Sequence, residues 1–229
     1  MPSISRTILI ALLPFVTAGP VIRQFNWGSI GTGTGTGSSS SSSSGFGSST
    51  QNGLSGDCKA VTVIFARGTT ETGNVGTATG PPFFEALASK LGDGKLAVQG
   101  VEYAADVAGI MQGGDTAGSA KMASLVQQAM TKCPSTHVVV SGYSQGAMLV
   151  HNAAKSLSSD VTGKIAAAVT FGDPYQKQAV TGVSANRFKV FCHAGDAVCS
   201  GSGVITAAHL TYSQDADAAA AFVVSAIGK

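Results

Sequence analysis

The stretch "HVVVSGYSQGAML", residues 137–149, constrains the fold more than any other part of the chain. An apolar β-branched run passes through a serine flanked by Gly142 and Gly146 straight into a helix-compatible run. One reading is packing: the glycines let the helix lie close to its strand, and Ser144 caps the helix. The other is chemical. A sharp strand-to-helix turn forces Ser144 into a strained geometry with its Oγ held out above a sheet, where it can act as a nucleophile.

The pattern around this turn repeats. "AVTVIFA" (60–66), "LAVQGVEY" (96–103), "HVVVSG" (137–142), "IAAAVTFG" (165–172) and "FKVFC" (188–192) read as short apolar strands. Helix-like runs lie between or after them at 81–91, 118–132, 145–157 and 215–229. Strands that are apolar on both faces and alternate with helices predict a mostly parallel α/β sheet covered on both faces by helices. Ligands bind such sheets at the carboxyl ends of the strands, and Ser144 lies just beyond one of those ends.

The 229 residues suffice for one domain with a good core. Fourteen Lys and Arg stand against 12 Asp and Glu without a clustered basic face, which argues against a nucleic-acid partner. "MPSISRTILIALLPFVTA" (1–18) reads as a secretory signal, with Arg6 in the charged region, an apolar stretch Ile8 to Val16, and a small-residue cleavage site at Val16-Thr17-Ala18. That apolar run is well short of the roughly 20 residues a spanning helix needs. No membrane span and an extracellular location are therefore expected. Residues 19–56 contain "GTGTGTGSSSSSSSGFGSSTQNG", which offers almost nothing to bury and reads as a flexible linker. Ahead of it, Phe25 and Trp27 suggest either a disordered N-terminus or an apolar flap. The folded domain is expected over 57–229.

Export makes Cys58, Cys133, Cys192 and Cys199 candidates for disulfides. Four cysteines permit three connectivities, and sequence alone does not choose. The close pair in "CHAGDAVC" would make a natural short loop, leaving Cys58 with Cys133. No CxxC or HExxH spacing supports a metal site, and no phosphate-loop motif follows the glycines, so neither a metal nor a cofactor is expected.

A serine hydroxyl needs a neighbouring base, and the base needs an orienting acid. His137 opens the nucleophile's own strand at the wrong end, His151 lies two turns down the following helix, and His193 adjoins a cysteine. His209 follows the plausible acids in a loop before the last helix and is the favoured base. For the acid, Asp173 follows the next strand and Asp196 the one after. The hydrolase order, with one strand skipped, favours Asp196, as does its bracket of Cys192 and Cys199. Asp173, followed by Pro174, reads better as a turn residue.

Three motifs in order, "FARGTTETGNVGTATGPPF", "PSTHVVVSGYSQGA" and "CHAGDAVCSGSGVITAAHL", resemble the fungal cutinases and their acetylxylan-esterase relatives over roughly residues 57–229. The resemblance implies a lidless α/β-hydrolase acting as a secreted serine esterase through an acyl-enzyme. Ser144 would be its nucleophile, Asp196 its acid and His209 its base, with disulfides Cys58–Cys133 and Cys192–Cys199. It also implies an oxyanion hole from Thr69 (N–H and hydroxyl) and Gln145 (N–H). The chain departs from many members in having Ala208, not proline, before His209. The asparagine that supports the oxyanion residue in some members has no evident counterpart near Ile110. Val204, Ile205 and Leu210 are expected to line the substrate crevice, faced by Val107, Ile110 and Met111. Such apolar walls favour a cutin-like polyester or short- to medium-chain acyl esters over acetylated xylan, with the protein acting as a monomer. A secreted surface-binding protein on a dead hydrolase fold is the reading from another class; the complete triad speaks against it.

Overall fold

The computed structural model describes residues 45–228. In chain order the regular elements are β1 (Val61–Ala66), α1 (Gly80–Leu91), β2 (Leu96–Gly100), α2 (Val107–Met111), α3 (Thr116–Lys132), β3 (His137–Tyr143), α4 (Gln145–Ser156), α5 (Ser159–Thr162), β4 (Ala167–Phe171), β5 (Phe188–Phe191) and α6 (Ala216–Ala226). The strands form one sheet in the order β2-β1-β3-β4-β5, with every neighbouring pair parallel. The expected signal, the Phe25/Trp27 segment and the glycine–serine run up to residue 44 lie outside the described residues.

Strand side chains alternate between faces, and that alternation divides the core in two. Ile64, Val138, Val140 and Ala168 point to the face where Met122, Val126 and Ala129 of α3 and Leu149, Val150 and Ala153 of α4 pack. Val63, Phe65, Val139, Val169 and Phe171 point to the other, against Phe83, Phe84 and Leu87 of α1 and Ala219, Ala220 and Val223 of α6. Both faces are covered, so β1 and β4 are buried along their whole length. This is why the strands read as unbroken apolar runs. The helix starts follow local chemistry: Pro81 and Pro82 open α1, while Asp106 and Asp115 cap α2 and α3 through the N–H groups of Gly109 and Gly118.

β1 has β2 on one side and β3 on the other, so the chain reverses its winding direction between β1 and β3. The crevice at the carboxyl ends of these two strands is the usual ligand position of an open α/β sheet. The architecture is that of a lidless α/β-hydrolase.

Two expectations need correction. The strand expected over 96–103 stops at Gly100, after which the chain turns toward α2 through Ala105 at φ +51. The linker does not run to residue 56. Phe46 packs against the α1/α6 core and Leu54 is buried in the other. Ser49 O accepts from the N–H groups of Asn74 and Val75, Gln51 O accepts from Gly100 N–H, and Gln51 N–H donates to Asn74 Oδ1 at 2.9 Å. Asn74 is buried and needs these partners. Those partners are backbone groups, and what fixes them in place is the packing of Phe46 and Leu54 together with Asn52 Oδ1, which accepts from Asn74 Nδ2 at 3.0 Å; a pure Gly/Ser run has no such anchors.

Candidate active site

β3 delivers Ser144 at φ +57, ψ −119, a conformation L-residues rarely adopt. The flanking glycines make the turn sterically possible. A Cβ on Gly146 would lie 2.0 Å from Ala66 O, and one on Gly142 would lie 2.2 Å from Gly146 O. The first turn of α4 therefore sits directly on the ends of β1 and β3. The glycines serve close packing, as the first reading of the sequence had it, and that packing sustains the strained backbone at Ser144. Ser144 does not cap α4 with its side chain, so its hydroxyl is free for other work.

That hydroxyl lies 3.0 Å from His209 Nε2, and His209 Nδ1 lies 2.9 Å from Asp196 Oδ2. All three residues are buried, at 7%, 2% and 5% exposure. Asp196 stands in the short loop closed by Cys192–Cys199, and Cys58 pairs with Cys133. Its second oxygen accepts from Val198 N–H at 2.9 Å, and Tyr212 O–H donates to Oδ2 at 2.5 Å. Burial by itself would raise the Asp196 carboxyl. The hydrogen bonds from Tyr212, His209 and Val198, with the His209 charge, outweigh it and hold the group below the ordinary carboxylate range. His209 is seated from several sides. Tyr143 stacks on its ring at 5.1 Å and donates to its carbonyl at 2.8 Å. Gly172, at φ +54, lies so close beneath that a Cβ there would be 2.7 Å from His209 Cε1.

"RGTTETGN" follows β1 and is braced from within. Arg67 donates from Nε to Glu71 O at 2.7 Å and from Nη2 to Tyr103 O at 2.8 Å. Glu71 accepts from the N–H groups of Gly68, Thr77 and Ala78. The brace presents Thr69 beside Gln145, whose Nε2 donates to Thr69 Oγ1 at 2.8 Å and to Asp106 O at 2.8 Å. With a lone pair of Thr69 Oγ1 engaged, its own hydrogen is left for another acceptor. Gln145 is the first residue of α4, so its N–H has no partner within the helix.

Beside Ser144 opens a cavity of about 190 Å³ lined by Ile110, Gln145, Met148, Pro174, Val198, Gly201, Gly203 and Ile205. Of the expected crevice residues, Ile205 and Ile110 line it. Val204 and Leu210 do not: they stand 59% and 62% exposed, and Val107 and Met111 are likewise exposed and outside its lining. His209 turns inward while Leu210, next to it in the short turn Ala207–Leu210, turns to solvent, so adjacency in sequence does not bring a side chain into the cavity. A larger groove of about 700 Å³, lined by Gln127, Met130, Thr136 and Lys164 among others, lies at the opposite ends of the strands, away from Ser144.

Sequence reading missed three things. Tyr212 contacts Asp196, the Gln145 side chain takes the bracing place sought for an asparagine near Ile110, and Met148 and Pro174 help form the cavity wall. Two of the three rejected histidines have carboxylate partners: His151 Nε2 meets Asp173 Oδ2 at 2.9 Å, and His193 Nε2 meets Asp215 Oδ2 at 2.6 Å. Among the described residues no group of His, Cys, Asp and Glu is arranged to hold a metal ion.

The Cutinase family model matches residues 57–227. A cutinase of Botryotinia fuckeliana is 57% identical over 171 residues, covering 75% of this chain and 85% of that one. Among solved structures, a Trichoderma reesei cutinase in complex with a phosphonate inhibitor superposes with a TM-score of 0.76 at 44% identity, covering 80% of this chain and 82% of that one. An acetylxylan esterase superposes with a TM-score of 0.60 at 26% identity, covering 75% of this chain and all of that one. With its elbow serine, sheet order and these likenesses together, the chain belongs to the cutinase family of carboxylic ester hydrolases.

Proposed function

We propose that Ser144, His209 and Asp196 carry out the ester hydrolysis of this serine esterase, with Thr69 and Gln145 as its oxyanion hole. Ser144 Oγ attacks the ester carbonyl carbon while His209 Nε2 takes its proton. The imidazolium is stabilised by Asp196, and the tetrahedral oxyanion by the Thr69 and Gln145 N–H groups and the Thr69 hydroxyl. His209 then protonates the leaving alcohol, giving an acyl-enzyme. Water, deprotonated by His209, repeats the sequence and releases the acid. The observation that carries this reading is the 3.0 Å contact between a strained Ser144 Oγ and His209 Nε2 at the edge of an apolar cavity.

The substrate is a cutin-like polyester or a short- to medium-chain acyl ester, and the protein works outside the cell as a monomer. The exposed apolar side chains Val107, Met111, Val204, Ile205 and Leu210 suit contact with a water-insoluble chain better than with a sugar. Among the described residues no helix is long and apolar enough to cross a membrane. The test is stoichiometric labelling by an organophosphate, mapped to its peptide, alongside turnover of p-nitrophenyl esters of increasing chain length, a polyester film and acetylated xylan. Labelling at Ser144 with release from the film is expected. Activity confined to acetylated xylan would move the assignment to an acetylxylan esterase, and absence of labelling would leave a surface-binding protein.

A further inference from the structure

We propose that Tyr212 is a positioning residue of this hydrolysis, its phenol O–H holding Asp196 Oδ2 and so setting how firmly the Asp196–His209 pair keeps a proton. The inference rests on Asp196 and His209 being the acid and base assigned above. Tyr212 opens a short turn ahead of α6 and is 1% exposed. Its oxygen accepts from the His193 backbone N–H at 3.1 Å and lies 2.5 Å from Asp196 Oδ2. An ionised carboxylate has no hydrogen to give, so the phenol must donate, and the His193 amide occupying its lone pair aims that hydrogen at Asp196. Oδ1 is held separately by Val198, so Oδ2 alone is shared between Tyr212 and His209.

The ring cannot drift. His193 stacks on it at 4.3 Å, Tyr143 and Phe171 pack against it, and a Cβ on Gly172 would meet Tyr212 Cε2 at 2.8 Å as well as the His209 ring. One glycine thus seats the base and the phenol together. Burial pushes the phenol's own ionisation well up, so it stays a donor throughout the working range. A donor to a carboxylate favours its charged form and withdraws charge from the oxygen that faces the base. Losing the donor leaves more negative charge on the oxygen that faces His209 Nδ1, which favours the imidazolium over the neutral base. The other groups facing the pair are the Ser144 hydroxyl on Nε2, the Tyr143 phenol over the His209 ring, and the His193–Asp215 pair behind Tyr212; the Cys192–Cys199 disulfide does not titrate.

Tyr212→Phe keeps the ring and removes only the O–H. Measured as kcat/KM against pH on a soluble p-nitrophenyl ester, its rising limb should move up by about one pH unit. Its kcat on the plateau should fall about tenfold, and its KM should stay within about twofold of the parent. 3-Fluorotyrosine at position 212 is a stronger donor of the same shape and should move the limb down. A purely structural role would leave the limb in place in both variants, and that result overturns the proposal. If the Phe variant does not fold, the fluorotyrosine protein decides alone. Asp196→Asn is run beside them. Parent-like kcat/KM in that variant would overturn the acid assignment itself, whereas its inactivity with unmoved Tyr212 limbs overturns only the role of Tyr212.

Discussion

Replacing His151 with leucine should cost this protein far more stability than any contact list of the site suggests. His151 and Asp173 are both fully buried, and Nε2 meets Oδ2 at 2.9 Å between the edge-on rings of Tyr175 and Phe188. Asp173 also accepts from Tyr175 N–H through Oδ1 at 2.7 Å. With Nε2 carrying the shared hydrogen, the unpartnered Nδ1 is a lone pair, which costs less to bury than an orphaned N–H. Leucine leaves the buried carboxylate with one donor, the Tyr175 N–H. Breaking a buried pair from one side costs about 3–5 kcal/mol. For a domain of this size that is a fall in Tm of about 10 °C. Asp173→Asn in the same background removes the stranded charge while keeping the bond to Tyr175, so the double variant should recover about 2 kcal/mol of the loss. Urea unfolding with the disulfides intact, read as a change in midpoint at constant slope, measures both. Losses that simply add, or a single variant within about 1 kcal/mol of the parent, would refute the reasoning.

Thr69→Ala should lower kcat on soluble esters by about 10- to 100-fold, less than loss of a complete oxyanion donor, because the backbone N–H remains; an unchanged kcat would remove the hydroxyl from the hole. Gln145→Met, which fills the space without a donor to Thr69 Oγ1, should lower kcat by about tenfold with little change in KM, checked by steady-state kinetics. Asp196 is held below its ordinary range, so its stabilising contribution is complete above about pH 4 and fades as pH falls through the depressed value. Acid-unfolding curves should therefore be shallower for Asp196→Asn than for the parent, and superimposable curves would contradict the shift. A chain beginning at Leu54 should lose thermal stability and kcat relative to one beginning at Ser42, since it strips Asn74 and Gly100 of their partners; equal melting curves would show that residues 45–53 add nothing.

What was legible in the sequence is what local pattern can encode. The Gly-flanked serine, the apolar strand before it and the alternation of strands and helices are short-range signals, and they locate Ser144, the sheet and both layers of helices. Asp196 and His209 could be ranked because chain order restricts which loop reaches which strand end. Tyr212 could not, although it lies three residues from His209, because nothing local distinguishes it from any buried tyrosine. Its contact depends on a stack with His193 and on the absence of a side chain at Gly172. The pair His151–Asp173 is hidden for the same reason: in sequence each residue reads as a separate catalytic candidate, whereas their relation exists only once α4 lies across β4. Residues 45–56 failed differently. Their composition continues the glycine–serine run, but Phe46 and Leu54 break it by packing into the two cores, and Asn52 by accepting from Asn74, more than twenty positions away. In this fold, the residues proposed to perform chemistry carry sequence signatures because that chemistry needs a strained turn and a fixed chain order. Residues that hold them in place are defined by partners, and a partner is legible only in three dimensions.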